Sequence, residues 1–391
     1  MVFSSKDAGY RRCTVTVMDN IADPDIHFDR EGICNYYYEY KEAEKNEVFA
    51  GIEGRQKLSR LADEIRAAGK SKPYDCLIGL SGGIDSSYTA LLVKQMGLRP
   101  LAVHLDNGWD TALAVKNIEN ITGKLGIDLF TLVVNWEEFK DIQLSFLRAS
   151  VVDIEMVSDH AILATMYKLA KEKKIKYIIS GTNVVTEYIM PPQWLYRKMD
   201  AANLLDIHRR YGRVSIKTYP VIDFKRYVYY SAVLGLKQVS ILNYIDYNKK
   251  EAGAQMKTAL DWADPGGKHF ESVFTKFYQA FILPEKFHID KRKPHLSNLI
   301  CAGQLSREQA LGILEEPALP ATELETCKPY VLKKLGLTEG EFESIMQLPA
   351  QAHHAFKSET RVHQRYMRVL QQTEWIRHAF RNKDSKAGKQ Q

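Results

Sequence analysis

Residues 77–93 read LIGLSGGIDSSYTALLV, an apolar run that breaks on two glycines, an aspartate and two serines and then resumes with helical spacing. The stretch has the form of a buried strand that turns directly into a helix. At such a junction free backbone N–H groups and the helix dipole favour an anion, and in an open parallel sheet ligands bind at the carboxyl ends of the strands. The position suits phosphate. Yet nothing in the chain matches the Walker A loop G-x-x-x-x-G-K-[ST], and there is no G-x-G-x-x-G dinucleotide fingerprint.

Strand and helix patterns alternate outward from this loop. YDCLIGL, RPLAVHLD, IDLFTLVVN and IKYIISGT read as short strands, separated by the amphipathic stretches SSYTALLVKQMG, TALAVKNIENITGKLG and HAILATMYKLAKEKK. That alternation predicts an α/β fold with a parallel sheet covered on both faces. Residues 1–50 are turn-rich and aromatic, with no long periodic helix expected before VFAGIEGRQKLSRLADEIRAAGK, and read as a small lobe. Residues 51–235 form the expected nucleotide-binding domain, 236–382 a mainly helical region and 383–391 a disordered tail.

With 391 residues, 45% hydrophobic and 26% charged, the chain can bury a sizeable core. No run approaches eighteen consecutive apolar residues and the first residues lack a secretory apolar region, so no membrane association and a cytoplasmic location are expected. Five scattered cysteines do not resemble a disulfide framework. A net charge of +6 suits an anionic substrate but is too small to imply nucleic-acid binding.

Ser81-Gly82-Gly83-Ile84-Asp85-Ser86-Ser87 resembles the SGGxDS signature of the PP-loop ATP pyrophosphatases (adenine nucleotide alpha hydrolase-like), the fold of asparagine, GMP and NAD synthetases. Such enzymes cleave ATP between its α- and β-phosphates and transfer AMP to an oxygen. The resemblance implies that Gly82 and Gly83 let amides approach the leaving pyrophosphate, that Ser81, Ser86 and Ser87 add donors, and that Asp85 ligates Mg²⁺. It also implies adenine and ribose contacts from HLDNGWD (His104, Asp106, Asn107) and from IISGTN (Gly181, Thr182).

Across roughly residues 10–345, including PDIHFDREGICN, LRPLAVHLDNGWDTALAVKNI, LNYIDYNKKEA and GGKHFESVFTKFYQAFILPEKFHIDKRKPHLSNLICAGQLSREQAL, the chain is similar to N-acetyl sugar amidotransferases of bacterial surface-polysaccharide biosynthesis. The resemblance implies a nucleotide-linked, UDP-type N-acetyl sugar whose acetamido oxygen is adenylated by ATP and then replaced by ammonia nitrogen, giving an acetamidino sugar, AMP and pyrophosphate. Lys291 and Arg292 of IDKRKPHLS are the expected pyrophosphate clamp, because charge building on the leaving group needs preorganised cations. Glu155 of DIEMVSDHA is the candidate for positioning or deprotonating ammonia. His269 and Glu271 of GGKHFES, then Glu187 and Trp194 of TEYIMPPQW, are candidate substrate contacts.

The second residue is Val2, not the Cys of an N-terminal-nucleophile glutaminase, and no G-x-C-x-G elbow occurs. Ammonia is therefore expected from free solution or a separate glutaminase, and the resemblance implies a glutaminase partner that delivers it. Relatives carry two Cys-x-x-Cys pairs suited to zinc. Here Thr16 and Tyr37 replace the second thiolates after Cys13 and Cys34, so structural zinc is not expected, even with His27 nearby, and aromatic packing is expected instead. The alternative is a PP-loop enzyme that adenylates a tRNA base, favoured by the basic tail with Arg361, Arg365, Arg368, Arg377 and Arg381. A nucleotide-binding sensor is a third reading.

Overall fold

A computed structural model of the chain describes residues 9–370; the expected disordered tail at 383–391, with Arg377 and Arg381, lies outside the described residues. Strands β1 (Cys76–Gly79), β2 (Pro100–Asp106), β3 (Asp128–Val133), β4 (Tyr177–Ser180) and β5 (Lys237–Ser240) form one sheet in the order β3-β2-β1-β4-β5, each neighbouring pair parallel. This is the expected α/β class. The sheet nevertheless crosses the expected boundary at 235, because β5 lies beyond it.

The helices that position the site are α1 (Asn35–Glu47), α2 (Gly51–Gly69), α3 (Ile84–Gln95), α4 (Ala112–Leu125), α5 (Trp136–Ala149), α6 (Met156–Glu172), α7 (Val184–Glu187), α8 (Ala201–Tyr211), α9 (Lys249–Leu260) and α10 (Arg292–Cys301). Period-two alternation in β1 sends its side chains to opposite faces. Cys76 and Ile78 pack with Ile65 of α2, Val93 of α3, Ile121 of α4 and Met256 of α9. Leu77 packs on the other face with Ala164, Leu169 and Ala170 of α6. A third core joins α5 and α8 to the C-terminal helices through Phe139, Phe146, Leu204, Phe277 and Phe342.

The N-terminal segment departs from the sequence reading in one respect. NYYYEYKEAEKNE forms α1, where no long helix is expected; Tyr36, Tyr40 and Ala43 share one face at helical spacing and are buried. They pack with Cys13, Met18, Cys34, Val184, Ile189 and Cys301, so this segment shares a core with α7 and α10. Cys13 Sγ accepts from the N–H groups of Thr16 and Cys34, each at 3.3 Å, and Thr16 Oγ1 lies 3.6 Å from Cys34 Sγ. The threonine hydroxyl thus sits beside the thiols, while His27 is exposed.

Two buried carboxylates of α5 tie down the loop that follows α8. Glu138 accepts from the N–H groups of Lys217, Thr218 and Tyr219, and Asp141 from those of Arg213 and Val214. Burial raises both carboxyls, but these bonds outweigh it and leave both below their ordinary values. A lowered carboxyl contributes stability that is present above the unfolded pKa, about 4.3 for Glu, and is lost as pH falls through the folded value. Glu138→Gln is expected to destabilise the chain by about 1–3 kcal/mol at pH 7. Denaturant titrations at falling pH should show the difference from the parent shrinking through the acidic range; a difference independent of pH would refute the assignment.

Candidate active site

A cavity of about 600 Å³ opens at the carboxyl ends of β1, β2 and β4. It sits where the strand order reverses between β1 and β4, the place where open α/β sheets take their ligands. The SGGIDSS loop runs from β1 into α3 along its wall. Gly82 has φ 82°, and a Cβ there would lie 2.6 Å from the Ala114 carbonyl oxygen, so glycine is required. Its own carbonyl accepts from Trp262 Nε1 at 2.9 Å and Asn117 Nδ2 at 3.1 Å, which fixes the loop from behind. Gly83 begins α3 with no side-chain cap, leaving the first-turn amides available for an anion. Ser81, Gly83, Asp85, Ser86, Gly181 and Thr182 line the cavity, and Ser81 Oγ lies 3.1 Å from Ser86 Oγ. A Cβ on Gly181 would stand 2.9 Å from the Asp85 backbone, so the end of β4 meets the first turn of α3 because this residue has none.

The wall opposite the loop is built from the C-terminal half. Lys268 bridges Asp85 at 3.0 Å and Glu187 at 2.8 Å, and Tyr247 donates its hydroxyl to Asp85. Burial raises the Asp85 carboxyl, but Lys268 and the Tyr247 hydrogen bond hold it below its usual value. Burial, aided by nearby Asp85, pushes Glu187 the other way despite Lys268. Deeper in the cavity Lys291 pairs with Glu155 at 2.7 Å, and Gln279 donates to both carboxylate oxygens. Glu155 is desolvated, but Lys291, then His269 and Lys198, bring it down to about 2. Lys249, at the start of α9, also lines the cavity; among the described residues its ammonium has no ion-pair partner within 4 Å.

Gly267, Lys268, His269 and Glu271 of GGKHFES also line the cavity. His269 adopts φ 64°, a left-handed conformation that costs a non-glycine residue about 1–2 kcal/mol. Backbone bonds from Thr111 to Glu271 and from Val273 to Trp109 fasten this segment to the end of β2. Glu271 accepts from Ser81 Oγ at 3.2 Å, and burial raises its carboxyl. Asp85 offers carboxylate oxygens of the kind Mg²⁺ prefers, but among the described residues no group of three or more His, Cys, Asp or Glu side chains gathers to hold a metal, so Mg²⁺ would rely on Asp85 together with phosphate and water.

Several expected contacts sit elsewhere. Arg292 does not line the cavity: its guanidinium pairs with Asp290 at 2.7 Å and donates to the carbonyls of Ile313 and Glu316. Consecutive residues on a helix start point in different directions, so Lys291 enters the site and Arg292 leaves it. Trp194 is a core residue whose indole donates to the Ala22 carbonyl. Ser87 is fully buried behind the loop, and Gly82 supports it rather than lining it. Asp106 caps its own turn through Gly108 N and does not line the cavity. His104 and Asn107 do line it, yet the imidazole is held by the Leu80 carbonyl and Asp110, each at 3.1 Å, and the Asn107 amide donates to Ser158. Thr182 Oγ1 lies 2.9 Å from Ser180 Oγ and from Ser240 Oγ. Lys249, Lys268 and His295 are cavity groups that the sequence reading does not single out, nor does it single out Tyr247, which holds Asp85 from outside the lining.

This arrangement separates two neighbouring cations. Lys291→Ala should lower turnover about 10–100-fold by removing a preorganised charge. Arg292→Ala should leave turnover within about twofold while costing about 1 kcal/mol of stability from lost hydrogen bonds. Steady-state kinetics and melting of the two variants check this, and equal losses of activity would restore the double clamp.

Residues 271–370 match the family model described as LPS biosynthesis protein WbpG-like, C-terminal domain. An uncharacterized protein of Methanocaldococcus jannaschii is 24% identical over 291 residues, 71% of this chain and 86% of that one. The tRNA(Ile)-lysidine synthase of Chlamydia pneumoniae is 35% identical over 71 residues, 17% of this chain and 22% of its own length. The glutamine-hydrolyzing GMP synthase of Pyrobaculum aerophilum is 36% identical over 73 residues, 18% of this chain and 14% of its own length. Among solved structures, NMN synthetase from Francisella tularensis aligns with a TM-score of 0.31 at 14% identity, covering 76% of this chain and 97% of that one. The NH3-dependent NAD synthetase from Campylobacter jejuni aligns with a TM-score of 0.28 at 17% identity, covering 53% and 84%.

Proposed function

We propose that this chain uses ATP to adenylate the acetamido oxygen of a nucleotide-linked N-acetyl sugar, and that ammonia then displaces AMP to leave an acetamidino group. The observation that carries the reading is the meeting of the SGGIDSS loop with four lysines, Lys198, Lys249, Lys268 and Lys291, in one cavity. An amide oxygen is a poor leaving group, and making it an adenylate requires neutralising charge on departing pyrophosphate. Lys249, without an ion-pair partner, and Lys268, able to exchange Asp85 for phosphate, are the groups assigned to that task. Mg²⁺ held by Asp85 would add electrostatic stabilisation of the phosphates. The match of residues 271–370 to a WbpG-like LPS biosynthesis domain supports a sugar acceptor.

The test is pyrophosphate release from ATP with a panel of UDP-N-acetylhexosamines and their uronates, run against bulk tRNA. Sugar-dependent release with an amidine product supports the reading. Release only with tRNA would overturn it in favour of a tRNA-modifying enzyme.

A further inference from the structure

His295 lies one turn after Lys291 on α10 and lines the same cavity. Both ring nitrogens are out of solvent contact, and among the described residues neither makes a well-formed hydrogen bond, the Thr186 backbone standing close enough to act on the ring without one. That is unusual for a buried imidazole, since most buried polar atoms are paired. Its ring centroid lies 6.0 Å from that of His269. The charged groups acting on it are Lys268 and His269 of the GGKHFES segment and Lys291, just before α10; the Thr186 backbone acts on it from α7.

The proposed reaction needs a base for the attacking nitrogen. Ammonia adds to the carbon of the adenylated imidate, whose nitrogen keeps the proton of the original acetamido group, forming a carbon–nitrogen bond while the carbon–nitrogen double-bond pair moves to the sugar nitrogen. The new nitrogen is then an ammonium and must lose a proton. The carbon–oxygen bond can afterwards break, with its electron pair staying on the AMP oxygen and the amidinium forming. Glu155, the group expected for this role, is bound to Lys291 and Gln279 and held at about 2, where it is a poor proton acceptor. Asp85 and Glu187 are both occupied by Lys268. We propose that His295 accepts the proton from the attacking nitrogen and releases it to solvent as products leave.

This inference rests on the amidination reading. It also carries a sequence of events. Without nucleotide, burial, then Lys268, His269 and Lys291, keep the ring neutral well below its ordinary value. Phosphates bound against Lys268 would offset part of that charge and bring the imidazole back towards its normal basicity. His295 then becomes an effective base only after ATP has entered.

Two half-reactions test it. Adenylation is read as sugar-dependent exchange of labelled pyrophosphate into ATP, and the second step as amidino sugar formed with ammonium salt. His295→Gln should lower exchange less than about 10-fold and amidine formation at least about 100-fold, with AMP appearing as the trapped imidate hydrolyses back to the amide. In His295→Gly, added imidazole should restore part of the amidine yield. If His295→Gln retains exchange and forms amidine at the parental rate with the parental pH profile, the inference fails while the amidination reading stands. If the parent shows no sugar-dependent exchange, both fail together.

Discussion

Asp85→Asn is expected to lower sugar-dependent AMP formation by roughly 10²–10³-fold, the scale on which loss of one preorganised electrostatic contact acts in a dry site. The substitution keeps the shape of the side chain and the Tyr247 hydroxyl within reach of an oxygen, but removes the charge that Lys268 and an incoming Mg²⁺ both address. Breaking a buried ion pair usually costs about 3–5 kcal/mol because one charge is stranded. Here Lys268 keeps Glu187 at 2.8 Å, and one of two mutually repelling carboxylates is gone, so the fold should survive. Labelled AMP release and a melting curve on the same preparation measure both halves. Parental AMP formation by a folded variant would remove Asp85, and with it the phosphate loop, from the chemistry.

The part of the fold around this loop is legible because burial and period agree there. β1, β2 and β4 are short apolar runs, β3 continues the series at the sheet edge, and the glycine and serine run between β1 and α3 has few structural uses. β5 is not legible: KQVS is four residues long and mostly polar, and it becomes a strand only because β4 offers it a hydrogen-bonding edge. The cations show the same limit. Lys291 and Arg292 are indistinguishable in a string of letters, and only the start of α10 decides which one faces the cavity. Lys268 lies between the glycines and His269 in a segment already suspected, yet its partners Asp85 and Glu187 are 183 and 81 residues away in sequence. Lys249 lies in LNYIDYNKKEA, where nothing in the run of letters distinguishes it from Lys250 beside it. Trp194 shows the converse, since a large aromatic beside prolines reads as readily as a substrate contact as it does as core.

Supplied with ammonium salt at raised pH, the purified chain is expected to form the amidino sugar, and supplied with glutamine alone to form none. No cysteine lines the cavity, and Cys13, Cys34, Cys76 and Cys301 are buried. Cys13 alone has a lowered thiol, held down chiefly by its contact with Cys34 and then by Thr16 against the effect of burial. An activated thiol of this kind would ordinarily mark a nucleophile. Fully buried in the N-terminal core, it cannot reach glutamine. Raising the pH increases the fraction of free ammonia, so the ammonium-driven rate should climb with pH until the fold gives way. A co-encoded glutaminase added to the mixture should restore glutamine use without any rise in bulk ammonia, because delivery directly into the cavity spares the nucleophile from protonation. Such a partner would have to dock near the part of the cavity lined by the GGKHFES segment, where His269 and Glu271 stand. Glutamine hydrolysis coupled to product by the single chain would show that a nucleophile exists which these cysteines do not provide, and would end the two-protein account.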